Sequence, residues 1–316
     1  MDPSAVNKSF SPSVPYLQMA WDSTSIGTFK ECPYKYKLTI IEGWQSKIGN
    51  AHLTFGILYH SATEHYAHAR AEGKSHDEGV KLALRHVLEK TWDTQMNRPW
   101  MSDEPTKTRK TLVRTVIWYL EQHPTETDSL RTIILRNGKP AIEVSFRFEL
   151  EAAPQQEPNS KFILCGHLDR LAEMNGETFI TDKKSTKHAL DSKYFSQYAP
   201  DNQMSTYSFA GRVVSPNPIK GVAIEGAQIG VTFSRFRREF IHRTDEQLDE
   251  WYQGLEWMFR QAEAYAKAQF WPQNDKACFN CGFREICRRP PSVRQEWLKG
   301  SFVKRIWDPL QVRGEL

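Results

Sequence analysis

The sequence predicts an α/β fold, and three observations carry that reading. Through about residue 125 the apolar residues recur at helical spacing; from "RTIILR" onward they alternate or run β-branched between turn motifs; later, "TDEQLDEWYQGLEWMFRQAEAYAKAQ" returns to a long amphipathic helix. With 316 residues, 39% apolar and 12% aromatic, the chain can bury a sizeable core. A charged fraction of 25% with 17 Gly and 17 Pro argues against bulk disorder or a fibrous repeat. No apolar run approaches the ~20 residues of a membrane helix.

The opening "MDPSAVNKSFSPSVPYLQ" lacks the basic-then-apolar order of a secretory signal. Residues 1–20 are expected as a flexible N-terminal arm, and the protein is expected in the cytoplasm. In a reducing compartment, clustered cysteines point to metal binding or catalysis before disulfides. Asp22 or Ser23 caps a short helix bearing Ile26 and Phe29, which ends at Cys32 ahead of Pro33. Three more helices follow, over "AHLTFGILYHSATEHYAHARAEG" with Gly73 as its stop, "DEGVKLALRHVLEKTWDTQM" and "KTRKTLVRTVIWYLEQH". Strands are then expected in "RTIILR", "AIEVSFRFELE", "KFILCGHLDRLAE" and "TFITDKKS", separated by turn chemistry such as "NGKP" and "NGE". A helix over "DNQMSTYSFAGRVV", two strands in "IEGAQIGVTFS" and "FRREFIHR", and the long helix opened by Thr244 complete the pattern. No linker divides the chain, so residues 21–316 are expected as one domain.

The net charge of +4 permits a polyanionic partner without requiring one. Chemistry concentrates in "CGHLDRLAEMNGETFITDKKSTK". Asp169 closes one apolar strand and Asp182 the next, and Lys184 shares a strand face with Asp182. A hairpin of these strands brings the two carboxylates together as a hard oxygen site suited to Mg²⁺ or Mn²⁺. A lysine beside them can hold a phosphate or orient a water, the outline of metal-assisted phosphodiester hydrolysis.

In this setting the sequence resembles the PD-(D/E)XK nuclease superfamily, and specifically its RecB-like branch. The resemblance rests on Gly56 to His60 in "GILYH", Gly166 to Asp169 in "GHLD", Asp182 to Lys184 in "DKK" and Gln203 to Tyr207 in "QMSTY", in the family's order. It implies a restriction-endonuclease-like core with a central mixed sheet flanked by helices. It further implies that His60, Asp169, Asp182 and the Lys183 carbonyl bind metal, that Lys184 positions the attacking water, and that Gln203 and Tyr207 support that lysine and the DNA backbone. Glu143 lies on the strand where related sequences often place an additional acid.

"CFNCGFREIC" holds three of the five cysteines. A subset of RecB-like nucleases, including CRISPR-associated and AddB-type members, holds a [4Fe-4S] cluster with one cysteine before the core and three after it. That resemblance implies a cluster on Cys32, Cys278, Cys281 and Cys287, in a subdomain formed near residues 22–45 and 270–295. Structural Zn²⁺ is the alternative, although zinc ligands usually come as two local pairs. Cys165 reads as a buried structural thiol.

For a substrate track, Lys187, Lys193 and Tyr194 mix charge with stacking surface, and Arg235 and Arg237 offer phosphate contacts. The resemblance implies DNA, as single strands or duplex ends, cut by an exonuclease with possible endonuclease activity in recombination, repair, replication or CRISPR adaptation. No G-x-x-x-x-G-K-[ST] loop is present, so any helicase or adaptation partner is expected as a separate protein. Two other readings stay open: a DNA-end binding or assembly factor, and an iron-sulfur redox-sensing DNA-binding module.

Overall fold

The computed structural model describes residues 9–215 and 217–311. From the N-terminus come β1 (Ala20–Trp21), α1 (Ser23–Glu31), α2 (Pro33–Tyr36), a π-helical turn (Lys37–Ile41) and β2 (Trp44–Ser46). The helical region holds α3 (Ala51–Ala71), α4 (His76–Lys90), the two-residue strands β3 (Trp92–Asp93) and β4 (Arg98–Pro99), and α5 (Arg109–Gln122). Strands take over with β5 (Arg131–Thr132), β6 (Ile142–Glu149), β7 (Ile163–Met174) and β8 (Glu177–Thr186). Next are α6 (Ser192–Ser196), α7 (Asn202–Val214), β9 (Ile219–Ile229) and β10 (Ser234–Ile241). The long α8 (Asp245–Ala268) leads to α9 (Arg284–Cys287), α10 (Arg294–Ser301) and β11 (Phe302–Lys304).

The boundaries have local causes. Asp22 Oδ1 accepts from the Ser25 amide at 2.9 Å to open α1, and Thr244 with Gln247 forms a capping box on α8. The helix expected through "TWDTQM" stops at Lys90, where Thr91 turns its hydroxyl onto the Val87 carbonyl at 2.6 Å. Asn175 and Gly176, both with positive φ, make the tight β7–β8 turn.

The chain divides into two compact units, Met1–Gly49 with Ser145–His167 and Thr244–Leu316, and Asn50–Val144 with Leu168–Arg243. The chain passes between the units four times, in the loops after β2 and after β10 and within β6 and β7.

In the first unit β1 runs parallel to the start of β7, with Ala20 opposite Ile163. Trp21 is fully buried, stacks on Tyr36 at 5.4 Å and meets Phe29 edge-on. Residues 1–8 of the expected arm lie outside the described residues. From Ser9 the chain is packed rather than an arm: Leu17 is buried, and Gln18 accepts from the Tyr36 hydroxyl at 2.8 Å.

In the second unit β7 and β8 are antiparallel, β8 and β9 parallel, and β9 and β10 antiparallel. A parallel pair needs a crossover, which α7 supplies. Strand alternation then sorts the helices. The α7 residue Gly211 lies against Ile180, on the face of Asp182 and Lys184, whereas α5 meets Lys183 and Glu225 on the other face through Tyr119. The mixed sheet thus has helices on both faces. A core of Phe55, Tyr59, Tyr66, Leu112, Val116 and Ile229 holds α3, α4 and α5 to it.

Candidate active site

Four segments of the second unit converge. The α3 residue His60 points Nε2 at the Lys183 carbonyl, 2.6 Å away, and holds Nδ1 3.1 Å from Asp169 Oδ2. The Lys183 amide donates to the same Asp169 oxygen at 3.4 Å. Lys184 Nζ donates to Asp182 Oδ1 at 3.0 Å and to Gln203 Oε1 at 2.7 Å, and the Gln203 amide donates to the Tyr207 hydroxyl at 2.9 Å. The i, i+4 spacing of Gln203 and Tyr207 on α7 makes that relay possible. The two acids lie within their strands rather than at strand ends. However, β7 pairs with β8 only from Arg170 opposite Thr181 to the turn, so the ladder stops one residue short of both acids.

Burial works against every charge here. It would raise the Asp169 carboxyl, but the His60 charge and contact, with Lys184 and Lys183 behind them, hold it down at about 2. At Asp182 burial leads and Asp169 adds to it, so this carboxyl is pushed up despite the Lys184 ammonium. Burial disfavours the His60 imidazolium, yet Asp169 outweighs it and raises the ring. The two carboxyls therefore separate in acidity, as like charges sharing a buried site do.

Against this geometry, residues 21–288 match the PD-(D/E)XK nuclease superfamily. The chain belongs to that superfamily. A solved candidate exonuclease from Eubacterium rectale is similar over 88% of this chain and 92% of its own, with TM-score 0.50 and 15% identity, a likeness of fold alone. A second structure, SSO0001, covers 46% of this chain and 59% of its own at TM-score 0.29 and 13% identity, and carries no argument. No curated protein sequence matches.

In this PD-(D/E)XK protein the expected metal ligands meet one another directly. Among the described residues no three His, Cys, Asp or Glu side chains are gathered to hold an ion, and His60 directs its two ring nitrogens at the Lys183 carbonyl and Asp169. Glu143 has left-handed backbone, φ 49°. Its charge adds to the burial, Asp169 and Asp182 effects that push the Tyr207 phenol well up.

The expected nucleic-acid residues divide. Lys187, Lys193 and Arg235 are exposed, while the Tyr194 hydroxyl is 3.0 Å from that of Tyr198. Arg237 lies opposite Gly226, which lies opposite Lys184, so all three share one face. Its guanidinium bonds the Leu190 carbonyl at 3.0 Å and covers the Phe195 ring, anchoring the segment after β8.

Two buried charges of this nuclease fold went unread in the sequence. Glu225 stands alone in the apolar "GVAIEGAQIGV", a signal in itself, and receives Arg170, Lys183 and Arg238. Lys107 is fully buried over the Phe55 ring, 3.3 Å from Ser185 Oγ; burial depresses it to about 8, opposed by Glu104.

The four cysteines named above lie in the first unit, and all are free thiols. Cys281 and Cys287 pack against Leu38, Trp44 and Phe283. Asn274 joins the two distant ends: its amide donates to Cys32 Sγ at 3.4 Å, and its carbonyl accepts from Cys278 Sγ at 3.6 Å. Burial, then the neighbouring Cys281, pushes Cys287 up to about 11; Arg294 opposes this, and Cys278 and Cys32 add smaller increments. Cys165 is buried apart from them against the Trp21 carbonyl, and burial lifts it to about 12.

Proposed function

We propose that the protein is a Mg²⁺- or Mn²⁺-dependent DNA nuclease of the RecB-like branch, cutting DNA ends or single strands as an exonuclease. The observation that carries this reading is the relay Tyr207–Gln203–Lys184–Asp182, which fixes one half-buried ammonium beside two carboxyls. The donors fit a hard divalent ion: Asp182 Oδ2 is buried and has no hydrogen bond of good geometry, although Lys184 Nζ lies 2.8 Å from it. Asp182, Asp169, the Lys183 carbonyl and His60 would hold the ion, with His60 giving up one present contact. Bound there, the ion would supply Lewis acidity at the phosphoryl group. Lys184, with one proton directed to Gln203 and another to Asp182, keeps a third donor for a phosphate oxygen or the attacking water. Lys187, Lys193, Tyr194, Arg235 and Arg237 would guide the strand.

The four thiols suit a [4Fe-4S] cluster in donor type and count. Its role would be structural, tying Cys32 to Cys278, Cys281 and Cys287 within the first unit. A cellular role in recombination, repair, replication or CRISPR adaptation, beside a separate motor or partner protein, accords with this reading. Among the described residues no helix is long and apolar enough to cross a membrane.

End-labelled single- and double-stranded DNA incubated with the protein and Mn²⁺ tests the proposal. Stepwise shortening of the labelled strand from its unlabelled end is expected, and cleavage surviving in Asp182→Ala would refute the assignment.

A further inference from the structure

Behind the candidate site, on the opposite face of the sheet, lies a buried ion cluster that the chemistry above does not use. Glu225 of β9 is its centre, with a side chain 1% exposed. Its Oε2 lies 3.2 Å from Lys183 Nζ and 3.3 Å from Arg170 Nη2, and its Oε1 takes Arg238 Nη2 at 2.6 Å and the Tyr119 hydroxyl at 3.0 Å. Asp128 closes the cluster from the far side by pairing with Arg238.

The placement of these cations bears on the site. Arg170 follows Asp169 directly, and Lys183 separates Asp182 from Lys184. Because side chains alternate along a strand, Lys183 projects away from Asp182 and Lys184 while its backbone stays in their row. That backbone serves both neighbours in the site, the carbonyl meeting His60 Nε2 and the amide reaching Asp169. At this point the β7–β8 ladder has ended, so regular strand pairing no longer sets the spacing of Asp169 from Asp182. Instead, one carboxylate oxygen of Glu225 grips a cation from each strand.

We propose that Glu225 is a positioning residue that clamps β7 to β8 from behind, fixing the Lys183 carbonyl and the two acids at metal-binding separation. The proposal rests on the nuclease reading for the identity of the ion, but not for the clamp itself. Removing the charge leaves two cations buried beside the loosened strands, and the donors move apart. Groups that orient ligands in this way typically change metal affinity or activity by about 10–100-fold.

The test compares Glu225→Gln with Asp128→Asn, which removes the other acid of the cluster but touches neither Arg170 nor Lys183. Three readouts are taken: Mn²⁺ affinity by calorimetry, kcat and KM on DNA, and hydrogen exchange of residues 180–186 without metal. Glu225→Gln should weaken Mn²⁺ by at least about tenfold, lower kcat with little change in KM, and speed exchange over that segment. Asp128→Asn should lose stability and keep all three near wild type. Should Glu225→Gln fail to fold, Lys183→Met keeps the backbone carbonyl, removes one arm of the clamp and should show the same pattern more weakly. Equal behaviour of the Glu225 and Asp128 variants overturns the proposal. Absence of cleavage by the wild-type protein defeats the nuclease reading, and cleavage persisting in Asp182→Ala defeats the site assignment; in either case the exchange comparison still decides the role of Glu225.

Discussion

The acid site of the second unit and the cysteine corner of the first are built on opposite principles. In the acid site His60 already pairs with Asp169 and Lys184 with Gln203, and Glu225 neutralises cations behind them. In the cysteine corner Cys32 and Cys278 meet the Asn274 backbone through weak sulfur bonds, while Cys281 and Cys287 rest on apolar side chains. A site made of paired charges keeps its shape before any ion arrives, because the low-dielectric interior makes each pair costly to break. A site made of thiols depends on what the thiols bind.

The largest test of that contrast is chemical. Lys184→Ala should lower the cleavage rate by about 10³-fold with DNA binding retained, since it removes a preorganised donor and leaves the phosphate track intact. Near-wild-type turnover in that variant would break the acid-site half of the comparison. Next comes stability: with the proposed cluster in place the protein should be brown, and Cys281→Ser should abolish that colour and lower Tm by about 10 °C. Chelating the divalent ion from wild type should shift Tm far less. A colourless, zinc-loaded native protein would replace the cluster with Zn²⁺.

A third prediction concerns pH. The folded-state pKa of Asp169 is depressed to about 2, so its stabilisation is present above the ordinary carboxyl range and lost as pH falls through about 2. His60 is raised, so its stabilisation is present below about pH 6.5 and lost as pH rises through its folded value. These are two views of one pair. In metal-free urea melts, Asp169→Asn should cost on the order of 2 kcal/mol near pH 5, with the difference shrinking towards pH 2 and again on the alkaline side. A pH-independent difference would remove the pair from the account. The smallest effect is expected at the track: Lys193→Ala should reduce the slope of log affinity against log salt by about one.

The residues that meet at the candidate site were legible because each sits in a pattern with a local cause. Gly56 to His60 and Gln203 to Tyr207 are one-turn spacings on helices, and Asp182 to Lys184 is a same-face spacing on a strand. The hairpin carrying Asp169 and Asp182 followed from the turn chemistry of Asn175 and Gly176. Arg237 was legible as a basic residue, yet its bond to Leu190 and its stacking on Phe195 depend on how the segment after β8 folds back. The packing of residues 9–20 was missed because Ser and Pro content describes an isolated chain, whereas Leu17 and Gln18 meet partners supplied by the fold.

The sequence by itself determined the helix and strand periods and the faces of His60, Asp182, Lys184, Gln203 and Tyr207. These depend on side-chain spacing along one element. Only the tertiary structure decided the division into two units, the halt of the β7–β8 ladder beside the acids, and the three cations that converge on Glu225. The partner of a buried charge is set by which strands become neighbours, and that is a property of the assembled sheet.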